Sequence, residues 1–274
     1  MDIHRMDDNM FTTLKKYTTI WLTFAKYELL NQFSTKTSMI FFFIGKVIRF
    51  LSFFVILLLL KNNTKSIAGY TIDEALIFYL TFNYIDVITQ MFLRGVYMLS
   101  GKVRSGEFDF FLIRPISPLF RSLAGSPDFN DVLLFIPLTI FSAWYITVAL
   151  PNLTLQHVML YLLLLANGLL ISLAFHIFVL CVGIVSTEVD NTIMLYRDLS
   201  KMGQFPMEIY REPLRGIITF VIPVGIMMSV PAKVLLGLSS GSLIIVAIGI
   251  GVLVFCLSLL AWNQALKKYT SASS

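Results

Sequence analysis

Charge is what this sequence has least of: among its 274 residues 14% are Asp, Glu, Lys or Arg, against 57% hydrophobic and a mean hydropathy of +0.80. So little charge excludes an ordinary soluble domain. Cysteine is scarce as well. Cys181 and Cys256 both fall in apolar runs, without a CxxC partner or a metal-ligand neighbour, and read as small packing residues. The three histidines, His4, His157 and His176, are spaced too far apart for a metal site, and neither H-E-x-x-H nor G-x-S-x-G occurs. A phosphate-cradling G-x-x-x-x-G-K-[ST] loop is missing too. Gly101-Lys102 is followed by Val103, and Gly45-Lys46 has Ile40 in the first glycine's place. The chain is therefore read as a non-enzyme with no cofactor of its own.

What the sequence does have is long apolar runs. A spanning helix needs about 20 mostly apolar residues, and six segments qualify: 39–60, 74–98, 128–150, 155–185, 214–230 and 242–266. The expected fold is an all-α integral membrane protein with six spans. Loops rich in Lys and Arg stay in the cytoplasm. With the N-terminus inside, the inner segments hold Arg5, Lys15, Lys16, Lys26, Lys36, Lys102, Arg104, Arg114, Arg121, Arg197, Lys201, Arg211, Arg215, Lys267 and Lys268. The outer loops hold only Lys61, Lys65 and Lys233. Both termini are thus expected in the cytoplasm of a multi-pass plasma-membrane protein. The net charge of +5 follows from this asymmetry and gives no reason to propose nucleic acid.

Residues 11–33 place Leu14, Tyr17, Trp21 and Phe24 near helical spacing beside Lys15, Lys16 and Lys26, the pattern of an amphipathic helix lying in the headgroup region. Between the second and third spans, "GKVRSGEFDFFLIRPISPLFRSL" (101–123) breaks the apolar sequence. Ser105 is a candidate cap for a short helix through Glu107, Phe108, Phe111 and Leu112 that Pro115 ends. Ser117-Pro118 would start a second helix, which Gly125 closes, and Ser126-Pro127 would open the third span. Residues 231–241 read as an outer or re-entrant helix.

Polar residues also fall inside the spans. Asn83, Asp86, Gln90 and Arg94 share one face of the second span, and the first span carries Lys46 and Arg49. Charges at mid-bilayer cost roughly 2.5–3.5 kcal/mol each on insertion scales, so they face a partner or water. Depth along each helix predicts an Arg49–Asp86 pair, placed either on a substrate path or at a static contact. The abundance of Phe and the apparent lack of a strongly charged cavity favour an amphipathic substrate over a small ion.

"RSGEFDFFLIRPISPLF" (104–120) resembles the first cytoplasmic loop of type-2 ATP-binding-cassette (ABC) exporter permeases, in a bacterial branch with a Gly-x-x-Asp-x-x-Leu-x-Arg-Pro pattern. Gly106, Asp109, Leu112, Arg114 and Pro115 match it. "QFPMEIYREPLRGIITFVIPVGIMMSVPAKVLLG" (204–237) is similar to that branch's second hallmark. The resemblance implies a bacterial inner-membrane exporter subunit whose 101–124 loop is a coupling helix docked on a separate ABC ATPase chain. Gly106, Glu107, Phe108, Asp109, Phe111, Leu112, Arg114 and Pro115 would form that contact, with Phe108 and Phe111 or Leu112 inserted. It also implies ATP and Mg on the ATPase, and a second permease chain, as homodimer or homologous heterodimer. An ion-coupled secondary transporter using Arg49 and Asp86, or a non-transporting immunity or scaffold protein, are the alternatives.

Overall fold

The computed structural model describes residues 3–61, 64, 66–125, 127–186 and 189–270. Lys65 and Ser126 lie outside these, as does the side chain of Arg5. The chain is an all-α integral membrane protein; among the described residues the only β-type pairing is one isolated bridge, Ile67 to Tyr70. Helix α1 (Ile3–Ser34) leads into α2 (Lys36–Leu60), and α3 (Ile72–Leu93) continues through a tight turn, Arg94–Met98, into α4 (Leu99–Arg104). Short helices α5 (Asp109–Leu112) and α6 (Pro118–Ala124) precede α7 (Phe129–Ala149) and α8 (Leu155–Ser186). After α9 (Val189–Lys201) come α10 (Leu214–Gly216), α11 (Val230–Leu235) and α12 (Gly241–Lys268).

Among the described residues five stretches are long and apolar enough to cross a membrane, α2, α3 through α4, α7, α8 and α12, and a bent pair, Leu214–Val221 with Gly225–Leu235, makes a sixth if it is one span. At the end remote from the 101–124 loop, Thr71 caps α3 in a reciprocal box with Glu74. Asp73 accepts from Lys61 and from the Tyr145 hydroxyl, each at 2.8 Å, which ties α2, α3 and α7 together there. α8 lies along α12, where the Ala247-xxx-Gly251 face permits close approach and the Asn167 amide donates to the Ala247 carbonyl at 3.0 Å.

The segment expected as the fifth span is sharply bent rather than a straight helix. Leu214–Val221 and Gly225–Leu235 meet at 75°, with Pro223 between them. One cleft of ≈ 200 Å³ holds Glu208 and Glu212 from before this pair, Arg215 from its first helix, Lys233 from its second and Leu243 from after it. Lys233 Nζ lies 2.5 Å from Glu208. A straight 17-residue helix would separate its ends by roughly 25 Å; here Arg215 near one end and Lys233 near the other line the same cleft.

Lys16 of α1 donates to the Pro115 carbonyl, and Tyr269, just past α12, donates to Asp109, so both ends of the chain meet the same loop. Residues 189–209 pack through the bundle beside α8. Tyr196 bonds Ser172 at 2.9 Å, roughly 21 Å along α8 from its Ser186 end. Gly203 packs on Met228, the Phe205 ring lies 5.3 Å from Phe53, and Glu208 reaches Lys233. Arg197 and Lys201 thus lie on an element packed against α8, and Arg215 lies in the cleft that also holds Glu208 and Lys233. α9 is 13 residues long and carries Asn191, Arg197, Asp198, Ser200 and Lys201, so the expected fifth span fell on the more apolar run after it.

Candidate functional site

Polar chemistry collects in two places, the 101–124 loop and the face shared by α2, α3 and α9. The loop is built as a brace. Ser105 ends α4 rather than starting the next helix, and Gly106, at φ +76°, turns the chain back in a conformation that side chains disfavour. α5 then begins at Asp109 without a side-chain cap. Ser117 does cap α6, accepting from the Phe120 amide at 3.4 Å, and Gly125 follows its last turn. For α7 the cap is Asp128, which accepts from the Asn130 amide at 3.0 Å. Phe108 is 0% exposed and Phe111 2%. Phe108 meets Tyr269 edge-on at 5.1 Å, and the Arg121 guanidinium lies 4.1 Å over the Phe111 ring. These two rings are this chain's own core, so the expectation that they insert into a partner is corrected. They are buried because Gly106 folds α5 back under α4. The exposed apolar edge consists of Phe110, Leu112 and Ile113.

Helix α1 grips the same loop. Lys16 Nζ donates to the Pro115 carbonyl at 2.7 Å, the Ser117 amide donates to the Tyr17 hydroxyl at 3.2 Å, and Tyr17 packs edge-on against Phe120 at 4.8 Å. On the other flank Tyr269 donates to Asp109 at 2.9 Å. Burial, helped by the Asp109 charge, pushes that phenol up to about 12, so it stays a donor at neutral pH. Gly95 completes the joint: a Cβ there would come within 2.6 Å of the Ser122 and Leu123 carbonyl oxygens. Gly95→Ala should therefore cost about 1–3 kcal/mol, read as a lower Tm in detergent, and Gly95→Val more. An unchanged Tm in Gly95→Val would show that α6 does not pack this closely.

The second place holds the intramembrane charges. Arg49 Nη2 lies 3.5 Å from Asp86, the contact expected from helix depth, with the Arg49 side chain more than half exposed. Lys46 does not share that level: its Nζ is 2.7 Å from both Asp128 and Asp131, and Arg94 pairs with Asp128 as well. Asn83 donates back to the Tyr79 carbonyl at 2.8 Å. A cleft of ≈ 250 Å³ brings Arg49, Asn83, Asp86 and Gln90 together with Arg197 and Lys201 of α9. It adjoins a wider cleft of ≈ 740 Å³ that adds Lys46, Arg94, Asp131 and Glu28. The cavity is charged, contrary to the expectation from composition. Asp128, Asp131, Arg197 and Lys201 are the partners sequence reasoning missed. His176 lies nearby, fully buried, and its Nδ1 donates to the Ser172 carbonyl at 2.8 Å.

A multi-pass helical protein with charges gathered at membrane depth, and a stiff polar loop bound to both termini, has the build of a transport permease. The chain belongs to the ABC-2 transporter family: the model described as "ABC-2 family transporter protein" matches residues 46–273, which include the loop and all of α3 to α12. No curated protein and no solved structure matches it. Membership makes it the membrane permease of an ABC transporter and not itself an enzyme, and implies association with an ABC ATPase subunit.

Proposed function

We propose that this chain is the permease of an ATP-driven exporter, with ATP and Mg held by a separate ATPase subunit that docks on Phe110, Leu112 and Ile113. The observation that carries this reading is the exposure of these three side chains, at 55%, 41% and 77%, on a loop whose interior is already filled by Phe108 and Phe111. A loop that only joined two spans would have no reason to present them to water. Glu107, Arg114 and Pro115, all exposed, stand around this edge as its rim. The helical run 72–104, continuous through Arg94–Met98, carries movement of the loop into the second span, and the Lys16 and Tyr269 contacts remove slack.

The exposed side of α9 carries Asn191, Asp198 and Lys201 beside Met194 and Leu195. Polar groups at that depth need water or protein around them. A second permease chain, identical or homologous, would enclose the path with this face. Cations cluster on the loop side, at Lys15, Lys16, Lys26, Lys102, Arg104 and Lys268 among others, which supports a cytoplasmic loop and cytoplasmic termini in a bacterial plasma membrane.

Co-purification tests the docking. Ile113→Asp with Phe110→Asp should abolish ATPase capture while the permease still folds, because buried apolar anchors carry most of an interface's energy. Glu107→Gln should leave capture near normal. Phe108→Ala should instead lower stability by about 3–5 kcal/mol through a core cavity. Full ATPase capture by the folded double variant would overturn the docking assignment.

A further inference from the structure

The two adjoining clefts share Arg49, Asp86, Gln90 and Arg197. Charge is not balanced at this junction. Arg49 faces one carboxylate, Asp86, at a long 3.5 Å, and Lys201 is satisfied within its own helix by Asp198 at 2.7 Å. Arg197 has no carboxylate partner among the described residues. Two guanidiniums therefore stand over a single carboxylate, at a depth where an unneutralised cation is costly. Guanidinium forks match the paired oxygens of phosphate or carboxylate.

The wall of the smaller cleft is of a different kind. Phe53, Ile56, Tyr79, Phe82 and Met228 line it, with Phe53 and Tyr79 stacked at 4.4 Å. At ≈ 250 Å³ it admits part of an apolar body but not a whole two-chain lipid, and the ≈ 740 Å³ cleft next to it is the open approach.

We propose that Arg49 and Arg197 clamp the anionic headgroup of an amphipathic ligand, phosphate or carboxylate in type, whose apolar part enters the Phe53–Tyr79 wall. This rests on the transport reading above and names the chemical class of what the path accepts. Two sources offer that chemistry: the headgroup of a membrane phospholipid, or a free single-chain anionic amphiphile.

The test uses the full chain, purified in a neutral maltoside detergent without its ATPase, and measures binding of radiolabelled dodecyl phosphate by equilibrium dialysis. Dodecyltrimethylammonium is the cationic control. Arg197→Gln should weaken dodecyl phosphate binding by about tenfold or more, the loss of one charge-assisted hydrogen bond. Arg197→Lys should retain part of it, and Arg49→Gln with Arg197→Gln should abolish it, with circular dichroism confirming the fold of each variant. Repeating the measurement in nanodiscs of phosphatidylcholine with and without phosphatidylglycerol separates the sources. Competition by phosphatidylglycerol identifies a lipid headgroup as occupant; undiminished binding identifies a free amphiphile. Equal binding of the cationic amphiphile, or wild-type binding by folded Arg197→Gln, overturns the clamp. Because no ATPase is present, such a failure leaves the docking reading intact, and a failure of ATPase capture leaves the clamp intact.

Discussion

Lys46→Met should destabilise the detergent-solubilised protein by about 3–5 kcal/mol, because it strands a buried carboxylate cluster. Lys46 is 2.7 Å from both Asp128 and Asp131, whose side chains are 2% and 4% exposed. Arg94 still reaches Asp128 in the variant, so the stranded group is Asp131, whose second oxygen already has no partner among the described residues. Asp128 also caps α7, so charge and helix start are fixed by one residue. Arg49→Met, by contrast, should cost under about 1 kcal/mol, since its pair with Asp86 is long and half exposed. In a double-mutant cycle, Lys46→Met with Asp131→Leu should lose clearly less than the sum of the single changes. Strict additivity there would refute the Lys46–Asp131 pairing.

The helical membrane fold and its polar face were legible in the sequence because both rest on local rules. Apolar run length sets a span, and offsets of three, seven and eleven put Asn83, Asp86, Gln90 and Arg94 on one side of a helix. The Arg49–Asp86 pair could be found from rise per residue. The Lys46 cluster could not, because that estimate takes all helices to start at one level. α2 begins about ten residues, or roughly 15 Å, before the height at which α7 starts, so Lys46 meets the first turn of α7 rather than mid-membrane. In the loop the composition announced an interface but not which aromatic faces out. Phe108, Phe110 and Phe111 look alike in sequence, and only the left-handed turn at Gly106 decides that Phe108 and Phe111 go in and Phe110 goes out. We propose that residues 189–209, rather than 214–230, make a crossing, and the sequence hides it for a different reason. Hydropathy identifies segments that face lipid, and a passage that faces charge and water carries the opposite signal.

Such a crossing would make the last prediction an all-or-none one. With Cys256, which is exposed, replaced by alanine, Arg215→Cys in sealed vesicles should react with a membrane-impermeant maleimide from the same side as Ser239→Cys. Ser105→Cys should react only from the other side. A straight fifth span over 214–230 would require Arg215 to label with Ser105 instead. The reason to expect otherwise lies in the ion pair rather than in hydropathy: Glu208 precedes the bent pair, Lys233 lies near its far end, and their side chains meet at 2.5 Å. Burial and the Glu208 carboxylate together push the neighbouring Tyr70 phenol up to about 12, and Tyr70 lies on the far side of the membrane from the loop, just before α3. Two separate segments, the one before α3 and the end of the bent pair, therefore meet Glu208. Labelling of Arg215→Cys from the Ser105 side would break this chain of contacts and restore 214–230 as a span.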